Sequence, residues 1–178
     1  MVRKTALALT IGTAALYCGA WASGYSIAIN PSASMPRGVY LFGPATNPRV
    51  GDTVAACIPA GGESRLYRLR DYLPASDRCA SGLAPVLKPI VAAAGDVVTI
   101  TEDGTRINGA LMPNSRVYDT DTQGLPIQHL PVDWSKRLGR GEYFLLANHL
   151  QRSLDSRYYG PISRVSILGI VHPIATEK

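Results

Sequence analysis

Val97-Val98-Thr99-Ile100-Thr101-Glu102-Asp103-Gly104-Thr105-Arg106-Ile107 is the stretch on which the fold class turns. Two β-rich runs stand on either side of Asp103-Gly104. Asp-Gly between such runs is a strong hairpin signal, because both residues accept the left-handed backbone of a tight turn. The same texture continues outward. Val39-Tyr40-Leu41-Phe42, the turn-and-strand unit at residues 50–57, the apolar run at 86–94, Tyr143-Phe144-Leu145-Leu146-Ala147 and residues 165–171 each read as a short strand. Residues 61–83 are polar and irregular, with a basic stretch at 65–70, and residues 112–140 read as a loop-rich connection. The 17 glycines and 13 prolines supply the turns. About seven short strands and no clear soluble helix predict a mainly β domain, a coiled and partly closed antiparallel sheet.

A chain of 178 residues suits one such domain. The net charge is +5, but the Lys and Arg residues are scattered and form no block, so nucleic-acid binding is not expected. There is no CxxC or His-rich spacing, and no metal or other cofactor is expected. Of the three cysteines, Cys18 lies in an N-terminal apolar run. Cys57 and Cys79 can pair in an oxidising compartment or stand as two free thiols.

Residues 5–29 carry no charge and are long enough to cross a hydrocarbon core as a helix. Arg3 and Lys4 precede them, which holds that end in the cytoplasm and places the domain outside. Ala20-Trp21-Ala22 offers the competing reading, a cleaved signal peptide. A retained anchor is favoured, and both readings export the domain. The division expected is residues 1–29 as anchor or signal helix and residues 30–178 as the soluble domain.

Ser34 and Lys88 are candidates for the chemistry. A serine hydroxyl is a weak nucleophile until a base takes its proton. His129, His149 and His172 make a Ser-His-Asp triad arithmetically possible, but no triad motif surrounds the serine. Lys88 is the alternative base. It stands in Pro85-Val86-Leu87-Lys88-Pro89-Ile90-Val91, with no acidic residue within seven positions on either side. A lysine is a base only when neutral, and burial among apolar groups favours that form. The competing reading is a lysine that snorkels to solvent at a strand edge.

At these residues a resemblance appears. Ser32-Ala33-Ser34-Met35-Pro36 resembles the nucleophile box of the type I signal peptidases (peptidase family S26). Lys88-Pro89-Ile90-Val91-Ala92-Ala93-Ala94-Gly95-Asp96 resembles their lysine box. Ile107-Asn108-Gly109, Gly141-Glu142-Tyr143-Phe144-Leu145-Leu146-Ala147-Asn148 and Ser153-Leu154-Asp155-Ser156-Arg157-Tyr158-Tyr159-Gly160 follow in the family's order. The match spans about residues 30–170 and is most similar to the TraF branch, the peptidases of conjugative plasmid transfer. Met35 runs directly into Pro36, where the general enzymes place a residue between, and the large inserted domain of many housekeeping enzymes is missing. One departure is Ala147-Asn148-His149 in place of Gly-Asp-Asn. It removes a carboxylate and brings in a histidine, His149, read as structural.

The resemblance implies curled antiparallel sheets of the signal-peptidase type behind one N-terminal transmembrane or signal helix. It implies Ser34 as nucleophile and Lys88 as general base. The Ser34 N–H and the Ser32 hydroxyl are then the oxyanion donors, with a local turn bond as the other reading of Ser32. Asp155 is implicated in activity within the branch. Asp155 and Arg157 form a supporting ion pair or a plain structural turn, and Ser153 hydrogen-bonds Lys88. The implied substrate is a pilin precursor with small residues before the cut, processed and joined head to tail. The implied setting is the inner membrane beside the type IV secretion or mating-pair apparatus, with the catalytic domain in the periplasm. The enzyme is wholly periplasmic if the leader is cleaved. Three other readings stand beside it: a general signal peptidase, a non-catalytic assembly factor, and a self-cleaving repressor-type protease. The last needs a DNA-binding domain and no export segment, and the sequence reads the opposite way.

Overall fold

Side chains alternate between faces along a strand, so runs with every second residue apolar settle with one face inward. The computed structural model describes Gly19 and residues 23–177. Their strands, in chain order, are β1 (Ser26–Asn30), β2 (Gly38–Pro44), β3 (Thr53–Ala56), β4 (Val86–Ala92), β5 (Val97–Thr101), β6 (Gly104–Ile107), β7 (Ala110–Leu111), β8 (Ser135–Arg137), β9 (Glu142–Leu145), β10 (Ile162–Ser163) and β11 (Ile167–Thr176). Helix α1 (Gly62–Leu69), a short α2 (Ser156–Tyr159) and a 3-10 turn (Arg164–Ser166) interrupt them. A seven-stranded sheet runs β1-β2-β11-β3-β4-β9-β10, and a four-stranded sheet runs β7-β6-β5-β8. All pairings are antiparallel. The mainly β expectation is met, with more and shorter strands than expected.

The deciding hairpin is present, one step out of the expected phase. Thr101 pairs with Gly104, so Glu102 and Asp103 form the turn and Gly104 opens β6. Gly104 has φ +143°, and a Cβ there would lie 2.6 Å from Ser115 Oγ, so a side chain is excluded twice over. The next turn does follow the tight-hairpin rule. Asn108 (φ 51°) and Gly109 (φ 85°) are both left-handed between the paired Ile107 and Ala110.

Two expectations need correction. The irregular segment after Gly61 contains α1, whose inward face is only Ser64 and Tyr67 while Leu69 is exposed. The helix is amphipathic but only eight residues long and polar on average, too short for its pattern to stand out from the surrounding irregular segment. The uncharged run 5–29 is not one element either. Its last residues belong to β1, which pairs with β2 from Ser26↔Phe42 to Asn30↔Gly38. The sheet therefore begins before residue 30. The rest of the expected anchor or signal helix, apart from Gly19 and residues 23–25, lies outside the described residues. Among the described residues no helix is long and apolar enough to cross a membrane.

The main core gathers Val54, Ile58, Tyr67, Leu83, Ile90 and Leu145 between α1 and the larger sheet. A second core, with Val98, Ile100, Leu138 and Phe144, joins the smaller sheet to β9. Cys57 and Cys79 form a disulfide, with Cα atoms 5.5 Å apart. It closes the loop that carries α1. Such a cross-link stabilises chiefly by restricting the unfolded chain, about 3 kcal/mol for a loop of this length. Replacing both cysteines by serine lowers the urea midpoint correspondingly, and adding reductant to the wild-type protein gives the same loss.

Candidate active site

Lys88 owes its position to strand periodicity. Along β4 the buried residues are Val86, Lys88, Ile90 and Ala92, so the lysine shares the core-facing side with three hydrophobes. Backbone pairing with Val54 of β3 fixes it there. Its side chain is 4 % exposed. Burial pushes the amine down to about 8; the nearby Asp155 carboxylate pulls it up and the Arg157 guanidinium pushes it down. Nζ donates to Ser34 Oγ at 2.6 Å. The two residues the sequence singled out are in direct contact, and the snorkelling reading of Lys88 is excluded.

Ser34 sits in a loop tied down by a residue that the sequence reading passed over. Asn30, buried at the end of β1, donates Nδ2 to the carbonyls of Ser32 (3.1 Å), Met35 (3.3 Å) and Pro36 (3.1 Å). Its Oδ1 accepts from the Ser32 N–H at 3.1 Å. The Tyr40 hydroxyl adds a bond to the Pro36 carbonyl at 2.6 Å. Asn before Pro at the close of an apolar run is the available signal, though it says nothing about four converging bonds.

Ser32 lies beside Ser34. Its Oγ is 3.0 Å from Ser34 Oγ and accepts from the Ser34 N–H at 3.3 Å. The two expected oxyanion donors are thus adjacent and occupied with each other, so the local turn bond is real. A substrate oxygen would have to replace it.

Ser153 departs from expectation. It lines the same cavity as Ser34 and Lys88, but its buried Oγ has no hydrogen-bond partner among the described residues. The expected bond to Lys88 is not made. Arg157 Nη2 takes the Ser153 carbonyl at 3.3 Å, which fixes the backbone without turning the hydroxyl onto the amine.

Asp155 and Arg157 form a fully buried ion pair. Arg157 Nε reaches Asp155 Oδ1 at 2.8 Å and Nη2 reaches Oδ2 at 2.8 Å. Nη1 donates to the carbonyls of Arg116 (2.6 Å) and Gln151 (3.1 Å). Asp155 also accepts from the N–H groups of Ala147 (3.2 Å) and Arg157 (3.2 Å), the latter as N-cap of α2. The carboxylate makes no hydrogen bond to Ser34 or Lys88 and reaches Lys88 only through its charge. The ion pair and the turn, read as alternatives, are both present.

No histidine enters. The partners of Ser34 Oγ are Lys88 and Ser32. His129 contacts Asp119 and the Leu130 carbonyl. His149 is exposed beside Met35 and Arg37, where a separate small cavity opens. Among the described residues no cluster of side chains could hold a metal ion.

A cavity of about 530 Å³ adjoins the dyad. Two extended segments line it. One is the nucleophile-bearing stretch with β1, an edge strand paired only to β2. The other is Ala84 to Lys88, where β4 pairs with β3 but meets β9 only from Ile90 onward.

The chain belongs to the signal peptidase family, peptidase S26, whose sequence model matches residues 2–175. Within it, the chain is homologous to conjugative transfer proteins. It is 33% identical over 148 residues to a plasmid transfer protein TraF from Escherichia coli, covering 83% of this chain and 82% of that one. A second Escherichia coli TraF is 32% identical over 165 residues, 93% of this chain and 91% of that one. A probable conjugal transfer protein TraF from Sinorhizobium fredii is 32% identical over 169 residues, 94% and 86% of the two chains. A crystal structure of a signal peptidase I from Enterococcus faecalis superposes with a TM-score of 0.38 at 20% identity, covering 70% of this chain and 97% of that one. Family membership rests on the sequence matches.

The buried pair gives a direct test. Asp155→Asn leaves the Arg157 charge buried without its counter-ion, and about 3–5 kcal/mol of stability is lost. Ser34→Ala, which removes the acceptor of the buried Lys88 amine, loses less, about 1–3 kcal/mol. Urea titration of both variants measures the contrast.

Proposed function

We propose that the chain is a Ser-Lys serine endopeptidase that processes the pilin precursor of a conjugative transfer system and joins the pilin ends. The observation that carries the peptidase reading is the 2.6 Å contact between a buried lysine and the half-buried Ser34. Neutral Lys88 takes the Ser34 proton as Oγ attacks the scissile carbonyl. The oxyanion forms against the Ser34 N–H and the Ser32 hydroxyl, a donor pair of the kind worth about 10²–10³ in rate per donor. The intermediate collapses to an acyl-enzyme, and Lys88 returns the proton to the leaving amine. Water then gives a linear product, whereas the pilin's own N-terminal amine gives a circle.

The two unpaired strand edges beside the dyad suit an extended polypeptide laid between them, since backbone hydrogen bonds recognise a chain whatever its side chains. The names of the homologues support the conjugative setting. For location we propose an inner-membrane anchor in the N-terminal segment, with the catalytic domain in the periplasm. The Cys57–Cys79 disulfide suits an oxidising compartment. Ile27 and Ile29 on β1, 71% and 77% exposed, would face the lipid boundary next to an embedded precursor. A general signal peptidase remains the second reading, and a scaffold without activity has no use for the dyad.

Mass spectrometry of the co-expressed precursor tests this. Wild type yields processed pilin lighter by one further water, and Ser34→Ala and Lys88→Ala leave the precursor intact. Processed pilin of full linear mass keeps the peptidase and removes the cyclisation. Processing that survives both substitutions removes the site.

The rate should also follow the lysine. With a pKa at about 8, the neutral fraction grows about tenfold per pH unit below that value and then saturates. At pH 7 about one lysine in ten is neutral, against about one in 3,000 at the ordinary value. The kcat/KM measured against pH therefore rises through neutrality and levels off above about pH 8.

A further inference from the structure

The cavity beside the dyad has an apolar body and a cationic margin. Its charged lining groups are Lys88, Arg78, Arg152 and Asp121. Three of them are engaged. Lys88 donates to Ser34. Asp121 accepts from the Tyr72 hydroxyl and from the N–H groups of Gln123 and Leu125, and lies 3.5 Å from Arg70. Arg152 donates to the carbonyls of Thr120 (2.6 Å) and Asp121 (3.0 Å) and sits 4.3 Å over the Tyr118 ring.

Arg78 is different. Among the described residues its guanidinium makes no ion pair, and its recorded contact is the face of Phe42, with Cζ 5.4 Å from the ring centroid. Phe42 lines the same cavity. The backbone beneath Arg78 is held, because Cys79 follows it and is bonded to Cys57, while the Arg78 N–H donates to Ser76 Oγ at 3.2 Å. A guanidinium laid on a ring leaves its N–H fork free, and that fork matches a carboxylate.

We propose that Arg78 is a specificity-determining residue that receives an acidic side chain of the polypeptide substrate, a few residues from the cut. The proposal rests on the peptidase reading. Arg78 contributes a cation already oriented by Phe42 and by the disulfide, so less ordering is needed when the substrate arrives. Lys88, which must stay neutral to act, is not available for that carboxylate.

The test uses the full-length enzyme in detergent and peptides spanning the pilin processing site. Each flanking position in turn carries Ala, Glu or Lys, and kcat/KM is measured. At one position wild type favours Glu over Ala by about five-fold, the upper size for a partly exposed ion pair, and disfavours Lys. Arg78→Ala brings the Glu-to-Ala ratio to about one, and Arg78→Glu reverses the preference towards Lys. Wild-type cleavage with no Glu preference at any position overturns the role of Arg78, as does a preference that persists in both variants. Failure to cut the all-neutral peptide overturns the peptidase reading itself, so the two failures are told apart.

Discussion

The architecture of the site depends on one buried ion pair. Arg157 has no solvent to share its charge, so each of its five N–H groups must find an acceptor inside the protein. It finds them on Asp155 and on the carbonyls of Arg116, Gln151 and Ser153. Gln151 and Ser153 lie just before the ion pair in the chain and Arg116 is 41 residues away, so the guanidinium ties its own loop, which includes the cavity-lining Ser153, to a distant segment. The Arg157 carbonyl accepts the Leu130 N–H at 2.7 Å and ties in a third segment. Such a centre stabilises little against a hydrophobic substitute, but it is costly to break and specific in geometry.

The pair also acts on the lysine. Asp155 favours a charged Lys88 and Arg157 opposes it. Two opposed charges held rigidly together act at a distance mostly as a dipole, so burial remains the leading influence on the amine. The strand supplies that burial through the two-residue period that puts Lys88 between Val86 and Ile90. A single-residue slip of β4 would turn the lysine to the opposite face, away from Ser34.

The dyad was legible chiefly because Ser32–Pro36 and Lys88–Asp96 resemble two boxes of the signal peptidases; the chemistry alone left Lys88 open. A lysine in an apolar strand must be neutral, paired or exposed, and a serine without a histidine motif needs a base. The hairpin at Asp103-Gly104 was legible from local backbone preference, but its phase was not, because contact with Ser115 fixes the glycine. The shortest strands gave no warning. Ala110–Leu111 and Ser135–Arg137 are wholly exposed and have no inward face to betray them. Helix α1 was hidden by its shortness and its polar composition, two turns set in an irregular segment. Strand β1 was hidden in the uncharged run because its isoleucines point outward, so hydrophobicity did not distinguish strand from anchor. The Cys57–Cys79 bond and the idle Ser153 hydroxyl depend on tertiary distances that no spacing encodes. Asn30 was missed for the same reason, since its bonds converge only once the loop is folded.

The order of strands in the larger sheet has a consequence for the timing of activity. β2, which follows the nucleophile loop, does not pair with β3; β11 lies between them and bonds to both. β11 comes after every other strand in the sequence. Serine and lysine are therefore joined across a seam that is filled last. A nascent chain that already contains both residues still has its site in two halves. Until β11 is in place, no strand pairing holds the half that carries Ser34 against the half that carries Lys88.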